Sequence, residues 1–145
     1  MSPSREHAAI SFEQKIQSNP DEVELLSLKV RDVLQANGLS QFCFPIELLA
    51  RECLANAMNH GNENDPEKSI VLQLRVGRAW IRLLVTDEGP GFAWRKAVQR
   101  KTGVVEVDGR GLGIYALYAE RFQFNRCGNR ITIWIDKKKQ TGNGE

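Results

Sequence analysis

The rhythm of apolar and polar positions changes along this chain and marks out its elements. Residues 8–18 alternate weakly and suit one short strand. Asn19-Pro20-Asp21-Glu22 has the makings of a helix start: Asn as N-cap, Pro at the first helical position, Glu three residues after the cap. Val23, Leu26, Val30 and Val33 then recur at helical spacing until Gly38 stops the segment. A second helix is predicted from about Pro45 to His60, closed by Gly61. Ile70, Leu72, Leu74 and Val76 alternate with period two. Gly77-Arg78 suits a two-residue hairpin turn, and Ala79 to Thr86 continues as the partner strand.

Beyond that hairpin the pattern breaks at a glycine-rich stretch, Asp87 to Phe92, and a polar segment follows from Trp94 to Asp108. A second glycine cluster, Gly109 to Gly113, opens a third helix that reaches about Arg121. Two last strands, near Phe122–Arg126 and Arg130–Lys137, flank a turn at Cys127-Gly128-Asn129. Residues 1–8 and 138–145 are expected to be disordered tails. The predicted order is β-α-α-β-β-α-β-β. Hairpins on both sides of a helix imply a mixed, mostly antiparallel sheet, and helices gathered on one face make a two-layer α/β (α+β) sandwich. Trp80, Leu84 and Trp134 have the opposite parity from the core set, so they fall on the open face of the sheet. That face would need a cover, such as a second copy of the chain or the N-terminal segment.

A length of 145 residues fits one domain, 1–145, and 41% hydrophobic residues are enough for a core without metal or disulfide staples. Lys+Arg 20 against Asp+Glu 18 leaves a net charge of +2, too balanced for a dedicated nucleic-acid binder. No apolar run approaches membrane-spanning length, and Met1 to Ala9 lack the apolar core of a secretory signal. Cys43, Cys53 and Cys127 are odd in number and far apart, so neither a disulfide framework nor a zinc site is indicated. A reducing, cytoplasmic setting is the expectation, with the cysteines as packing residues. His60, beside a helix-ending glycine, reads as a capping or packing residue, and Lys137-Lys138-Lys139 as a solvated strand end.

Three constellations carry candidate chemistry. On the second helix, Asn56 lies about 40° from Glu52 and Asn59 about 20° to its other side, given 100° per residue. Ile46, Leu49, Cys53 and Ala57 form the adjoining apolar stripe. Glu52 and Asn56 therefore stand together at the edge of the buried face. A carboxylate beside an amide oxygen suits a hard cation such as Mg²⁺ and a positioned hydroxyl. Taken alone, the pair also fits a solvated helix face. In Asp87-Glu88-Gly89-Pro90-Gly91-Phe92, strand alternation puts Asp87 on the side of Ile81, Leu83 and Val85. A planar base with an exocyclic amino group would satisfy that carboxylate, and Gly89 and Gly91 allow close approach to the backbone. A plain turn is the alternative. In Gly109-Arg110-Gly111-Leu112-Gly113, free N–H groups at a helix start favour phosphate, and Arg110 could add a charged fork. A dinucleotide fingerprint would need glycine in place of Ile114, and no GxxxxGK[ST] run exists.

Each constellation supplies what the others lack: metal and acid/base group, base pocket, phosphate cradle. Glu52 with Asn56, the DxGxG at Asp87-Gly89-Gly91 and the GxGLG at Gly109-Gly111-Gly113 resemble the N, G1 and G2 boxes of the GHKL ATPase superfamily, with its Bergerat-type ATP-binding fold. Within it, RECLANAMNHGNEND, VTDEGPGF and GRGLGIYAL are most similar to the anti-sigma-factor serine kinases, over roughly residues 10–137. The resemblance implies that Asn56 ligates Mg²⁺ bridging the phosphates of ATP and that Glu52 is the general base toward a substrate serine. It implies that Asp87 receives the adenine amino group, with Gly89 and Gly91 shaping its pocket. Gly109, Gly111, Leu112 and Gly113 would form the phosphate loop, Arg110 would reach the γ-phosphate, and 95–108 would be a mobile lid. The implied partners are a sigma factor and an anti-sigma-factor antagonist protein carrying the serine. The open-face parity of Trp80, Leu84 and Trp134 separately predicts a homodimer, and charge and hydropathy predict no direct contact to nucleic acid or membrane. No phosphoacceptor-histidine helices and no gyrase-, chaperone- or mismatch-repair-type additions are seen, which favours a stand-alone kinase. The alternatives are a nucleotide-responsive binding module without phosphoryl transfer, and a regulator of a downstream phosphatase or cyclase.

Overall fold

The period-two segments become strands of one sheet in a computed structural model, which describes residues 10–91, 100–101, 104–105, 115 and 117–138. Along the chain the elements are β1 (Ile10–Gln17), α1 (Pro20–Ala36), α2 (Cys43–Asn56), β2 (Ser69–Val76), β3 (Trp80–Asp87), β4 (Arg100–Lys101), β5 (Val104–Val105), β6 (Arg121–Phe124) and β7 (Arg130–Asp136). The main sheet runs β1-β2-β3-β7-β6, and every ladder in it is antiparallel. Its inner face is built from β-branched and leucine side chains. Ile70, Leu72, Leu74, Ile81, Leu83, Ile133 and Ile135 are all buried against Leu26, Val30 and Leu34 of α1 and Leu49 of α2. The expected two-layer sandwich with helices on one face is the fold observed.

Local rules account for the helix ends. The Asn19 side chain accepts the N–H groups of Asp21 (2.8 Å) and Glu22 (3.2 Å), with Pro20 first in the helix. The reciprocal arm of a capping box is missing, because Glu22 accepts the N–H of Gln17 instead. Gly38, at φ +74°, closes α1. The Leu39 N–H reaches Leu34 C=O at 2.9 Å and the Gly38 N–H reaches Gln35 C=O at 3.3 Å, the paired bonds of a Schellman motif. Arg51 of α2 bonds both Glu47 on its own helix and Glu24 of α1, tying the two helices together.

Several boundaries differ from those predicted. A 3₁₀ turn, Ser40–Phe42, leads directly into α2, so the helix begins at Cys43 and Pro45 sits inside its first turn, where a missing N–H costs nothing. The β2–β3 turn is centred on Arg78-Ala79, one residue beyond Gly77-Arg78. Val76 pairs with Ile81, and the Gly77 N–H still bonds Trp80 C=O at 2.8 Å. β6 ends at Phe124 because Asn125 turns the chain, its Oδ1 accepting the N–H groups of Gly128, Asn129 and Arg130. The third helix is described only at Tyr115, Leu117 and Tyr118, and it has ended before Arg121, which opens β6. Within the predicted lid, β4 and β5 form a small antiparallel pair that periodicity did not signal. Lys137 is not simply solvated: its Nζ donates to Gly77 C=O.

Candidate nucleotide-binding site

Helix α2 carries Glu52 and Asn56 one turn apart, and both are half-buried. Asn56 is the last residue of its α-helical part. From Ala57 to Gly61 the backbone widens into a π turn, with the Asn62 N–H bonded to Ala57 C=O at 2.8 Å. Such turns recur at functional sites. Asn59 and His60, within this turn, are exposed.

Asn56 is oriented from behind. Its Nδ2 donates to the Tyr115 hydroxyl at 2.8 Å, and that hydroxyl is also hydrogen-bonded to the Cys53 thiol. Tyr115 is 1% exposed, its ring edge-on to Phe122 at 5.5 Å. Burial, reinforced by the nearby Glu52 charge, pushes the Cys53 thiol up to about 12 and the Tyr115 phenol well above its ordinary value. Both groups stay neutral, so Cys53 and Tyr115 give Asn56 an uncharged support that is buried behind it.

Asp87 ends β3 on its inner face, opposite Ile70. Its backbone is held from both directions by the β6–β7 turn: the Asp87 N–H bonds Asn129 C=O at 2.9 Å, and Asn129 Nδ2 bonds Asp87 C=O at 3.2 Å. The carboxylate accepts the Gly89 N–H at 2.8 Å. The glycines here are required by contacts within the protein itself. A Cβ on Gly61 would fall on the Asp87 carboxylate, one on Gly89 would fall on Gly61 C=O, and one on Gly91, at φ +87°, would fall on Cys127 C=O. The loop after β3 is thus wedged between the π turn and the β6–β7 turn.

Asn62 completes that wedge, and sequence reasoning missed it. It is fully buried. Its Oδ1 accepts the Glu88 N–H at 2.8 Å, while Nδ2 donates to Ser18 Oγ at 2.8 Å and to Ser69 C=O at 3.0 Å. One amide therefore joins the ends of β1, α2 and β3 to the start of β2. Ser69 in turn donates its hydroxyl and its N–H to the Glu88 carboxylate, which holds that carboxyl below the usual range. In the sequence Asn62 merges into Asn62-Glu63-Asn64-Asp65, a run that reads as a turn. Glu63 and Asn64 do take left-handed φ of 52° and 60° there. No periodicity singles out the one buried member.

Asn56 and Asp87 line one cleft, open to solvent, between α2 and the sheet. Cys53, Ala57, Val85 and Phe124 supply apolar wall, and Asn129 adds a polar edge. Apolar walls with a carboxylate able to accept an amino group, and the amides of Asn56 and Asn129 among the lining residues, have the chemistry of a purine site. Glu52 is not among the lining residues. Gly109, Arg110, Gly111, Leu112 and Gly113 lie outside the described residues, as does most of the predicted lid.

An antiparallel sheet backed by two helices, with this cleft where the second helix widens, belongs to the nucleotide-binding α/β sandwiches. Residues 16–135 match the family model of the histidine kinase-like ATPase domain, and the chain belongs to that family. It is an ATP-binding, kinase-like domain of the GHKL type, which carries phosphotransferase or ATPase activity as a class. None of the curated proteins compared with the chain matches it. Among the described residues no helix is long and apolar enough to cross a membrane, and no group of three His, Cys, Asp or Glu side chains could hold a metal ion.

Proposed function

We propose that this domain is an ATP-dependent protein serine kinase of the cytoplasm that also sequesters a sigma factor and phosphorylates the antagonist protein that would release it. The observation that carries the reading is the convergence of Asn56 and Asp87 on one cleft, with Glu52 a helical turn from Asn56. In this reading Asp87 accepts the adenine amino group. Gly109, Gly111, Leu112 and Gly113 present backbone N–H groups to the phosphates, and Arg110 meets the γ-phosphate. The residues also fit Mg²⁺. Tyr115 fixes the nitrogen end of the Asn56 amide, and its oxygen end is a hard donor of the kind that ion takes beside phosphate oxygens. When bound, the ion would neutralise charge on the phosphates. Glu52 takes the proton of the substrate serine as its oxygen bonds to the γ-phosphorus, the bond from that phosphorus to the β–γ bridging oxygen breaks, and ADP leaves.

The experiment is transfer of labelled γ-phosphate to the antagonist, with wild type and Glu52→Gln side by side. The variant is expected to keep ATP affinity while transfer falls by about 10²–10⁴-fold. Wild-type protein that binds ATP and the antagonist yet transfers nothing would favour the second reading, a nucleotide-responsive binding module. That alternative draws support from Glu52 standing outside the lining of the described cleft.

A further inference from the structure

The outer face of the sheet carries a pattern visible only once the register is known. Ser11 pairs with Arg75, Arg75 with Arg82, Arg82 with Trp134, and Trp134 with Arg121. One transverse row across five strands thus holds three arginines and a tryptophan. The Arg121 guanidinium lies 4.2 Å from the centre of the Trp134 ring, and Arg82 is the neighbour on the other side. Arg82 and Arg121 are exposed, and neither has a carboxylate partner among the described residues. Arg75 reaches Glu13 only at 4.0 Å, and its buried Nε has no hydrogen-bond partner. Two arginines directly opposite each other on an antiparallel pair destabilise the sheet, so the fold carries an unfavourable contact that an anionic ligand would relieve.

We infer that this row is the docking surface for an acidic segment of a partner protein, with carboxylates set around an apolar residue that meets Trp134. Charge complementarity selects the occupant. A second copy related by a two-fold axis would lay the cationic row against itself. Glu13 and Asp136 bound the cationic strip on the same face, so the strip fits a short run of carboxylates and not a continuous polyanion. Arg and Trp together are the side chains that dominate protein–protein hot spots.

The test uses the full chain and three fluorescent probes: an Asp/Glu-rich peptide with a central Leu-Phe pair, its Asn/Gln counterpart, and a single-stranded oligonucleotide of equal charge. The acidic peptide is expected to bind, its neutral counterpart not to, and Arg82→Glu or Arg121→Glu to weaken the peptide at least tenfold. Mg-ATP affinity should stay unchanged in both variants, so this outcome is independent of the kinase reading. Arg82→Glu, placed opposite Arg75, should melt no lower than wild type, which shows that it folds. The inference is overturned by peptide affinity that survives both charge reversals, by no peptide binding at millimolar concentration, by an oligonucleotide that binds more tightly than the peptide, or by a dimer in sedimentation that Arg82→Glu abolishes.

Discussion

Replacing Asn62 with alanine tests whether a single buried amide holds the base-pocket loop in place. The substitution removes one acceptor and two donor bonds from a fully buried position. The groups left behind are unequal. Ser18 keeps its own bond to Lys68 C=O, and Glu88 is an exposed residue, whereas Ser69 is buried. With each buried unsatisfied group costing about 1–3 kcal/mol, and a cavity the size of a carboxamide added, the expected loss is about 3 kcal/mol. For 145 residues the entropy of unfolding near the midpoint is about 0.3 kcal/mol per degree, so the melting temperature should fall by about 10 °C. Asn62→Asp is the informative companion. It preserves shape and the acceptor for the Glu88 N–H, but sets a negative charge against Ser69 C=O and beside the Glu88 carboxylate, so it should destabilise at least as much. Thermal and urea denaturation measure both. The loop that Asn62 pins ends in Asp87, Gly89 and Gly91, so ATP affinity should also fall in a variant that remains folded. An alanine variant melting within about 2 °C of wild type, the range of an ordinary surface substitution, would show that the network is dispensable.

Tyr115→Phe keeps the ring against Phe122 and removes only the hydroxyl, so stability should drop by about 1–2 kcal/mol and nucleotide affinity should fall more in Mg²⁺ than in EDTA. Calorimetry under the two conditions decides, and an equal loss in both would detach Tyr115 from the orientation of Asn56. Cys53 titrates at an ordinary value of 9.0 when unfolded and at about 12 when folded. Its contribution is therefore intact below pH 9 and is lost as pH rises toward 12, because the unfolded chain releases the proton first. Stability should fall with a slope of up to about 1.4 kcal/mol per pH unit above pH 9. Cys53→Ala should reduce that slope between pH 9 and pH 10, leaving the part owed to Cys43, also raised by burial, and to Tyr115, whose unfolded value is 10.0; an unchanged slope in denaturation curves there would assign the alkaline loss elsewhere.

Much of the fold was legible because it follows from short-range rules. Alternation in Ile70–Val76 and Ile131–Ile135, the Asn19-Pro20 start of α1 and the Gly38 stop each act within a few residues, and each is found where the pattern put it. Errors appear where a distant partner decides. Gly77-Arg78 looked like the turn, but the Lys137 N–H bonds Ala79 C=O and the Lys137 amine bonds Gly77 C=O, so β7 shares in setting where β3 begins. The open-face parity of Trp80 and Trp134 was readable from alternation. That Arg75, Arg82 and Arg121 share a row with Trp134 was not, since it depends on three registers at once.

The candidate site divides along the same line. Glu52, Asn56, Asp87, Gly89 and Gly91 stand in compact motifs, and the structure brings Asn56 and Asp87 to one cleft. The residues that hold them there are scattered: Tyr115 lies 59 positions from Asn56, Asn129 lies 42 from Asp87, and Asn62 lies 44 from Ser18. Each is a polar side chain of a kind common on surfaces, and only its long-range partners distinguish it. The glycines make the same point from the opposite side. Gly89 and Gly91 stand in a motif that suits a ligand's approach, yet Gly61 and Cys127 already occupy the space a Cβ would need. The motif therefore encodes a wedge of backbone before it encodes a pocket, and the position of Asp87 is a consequence of that wedge. A side chain added at Gly89 would displace Asp87 through Gly61 whether or not a nucleotide is bound, so glycine at this position answers to folding and to binding together.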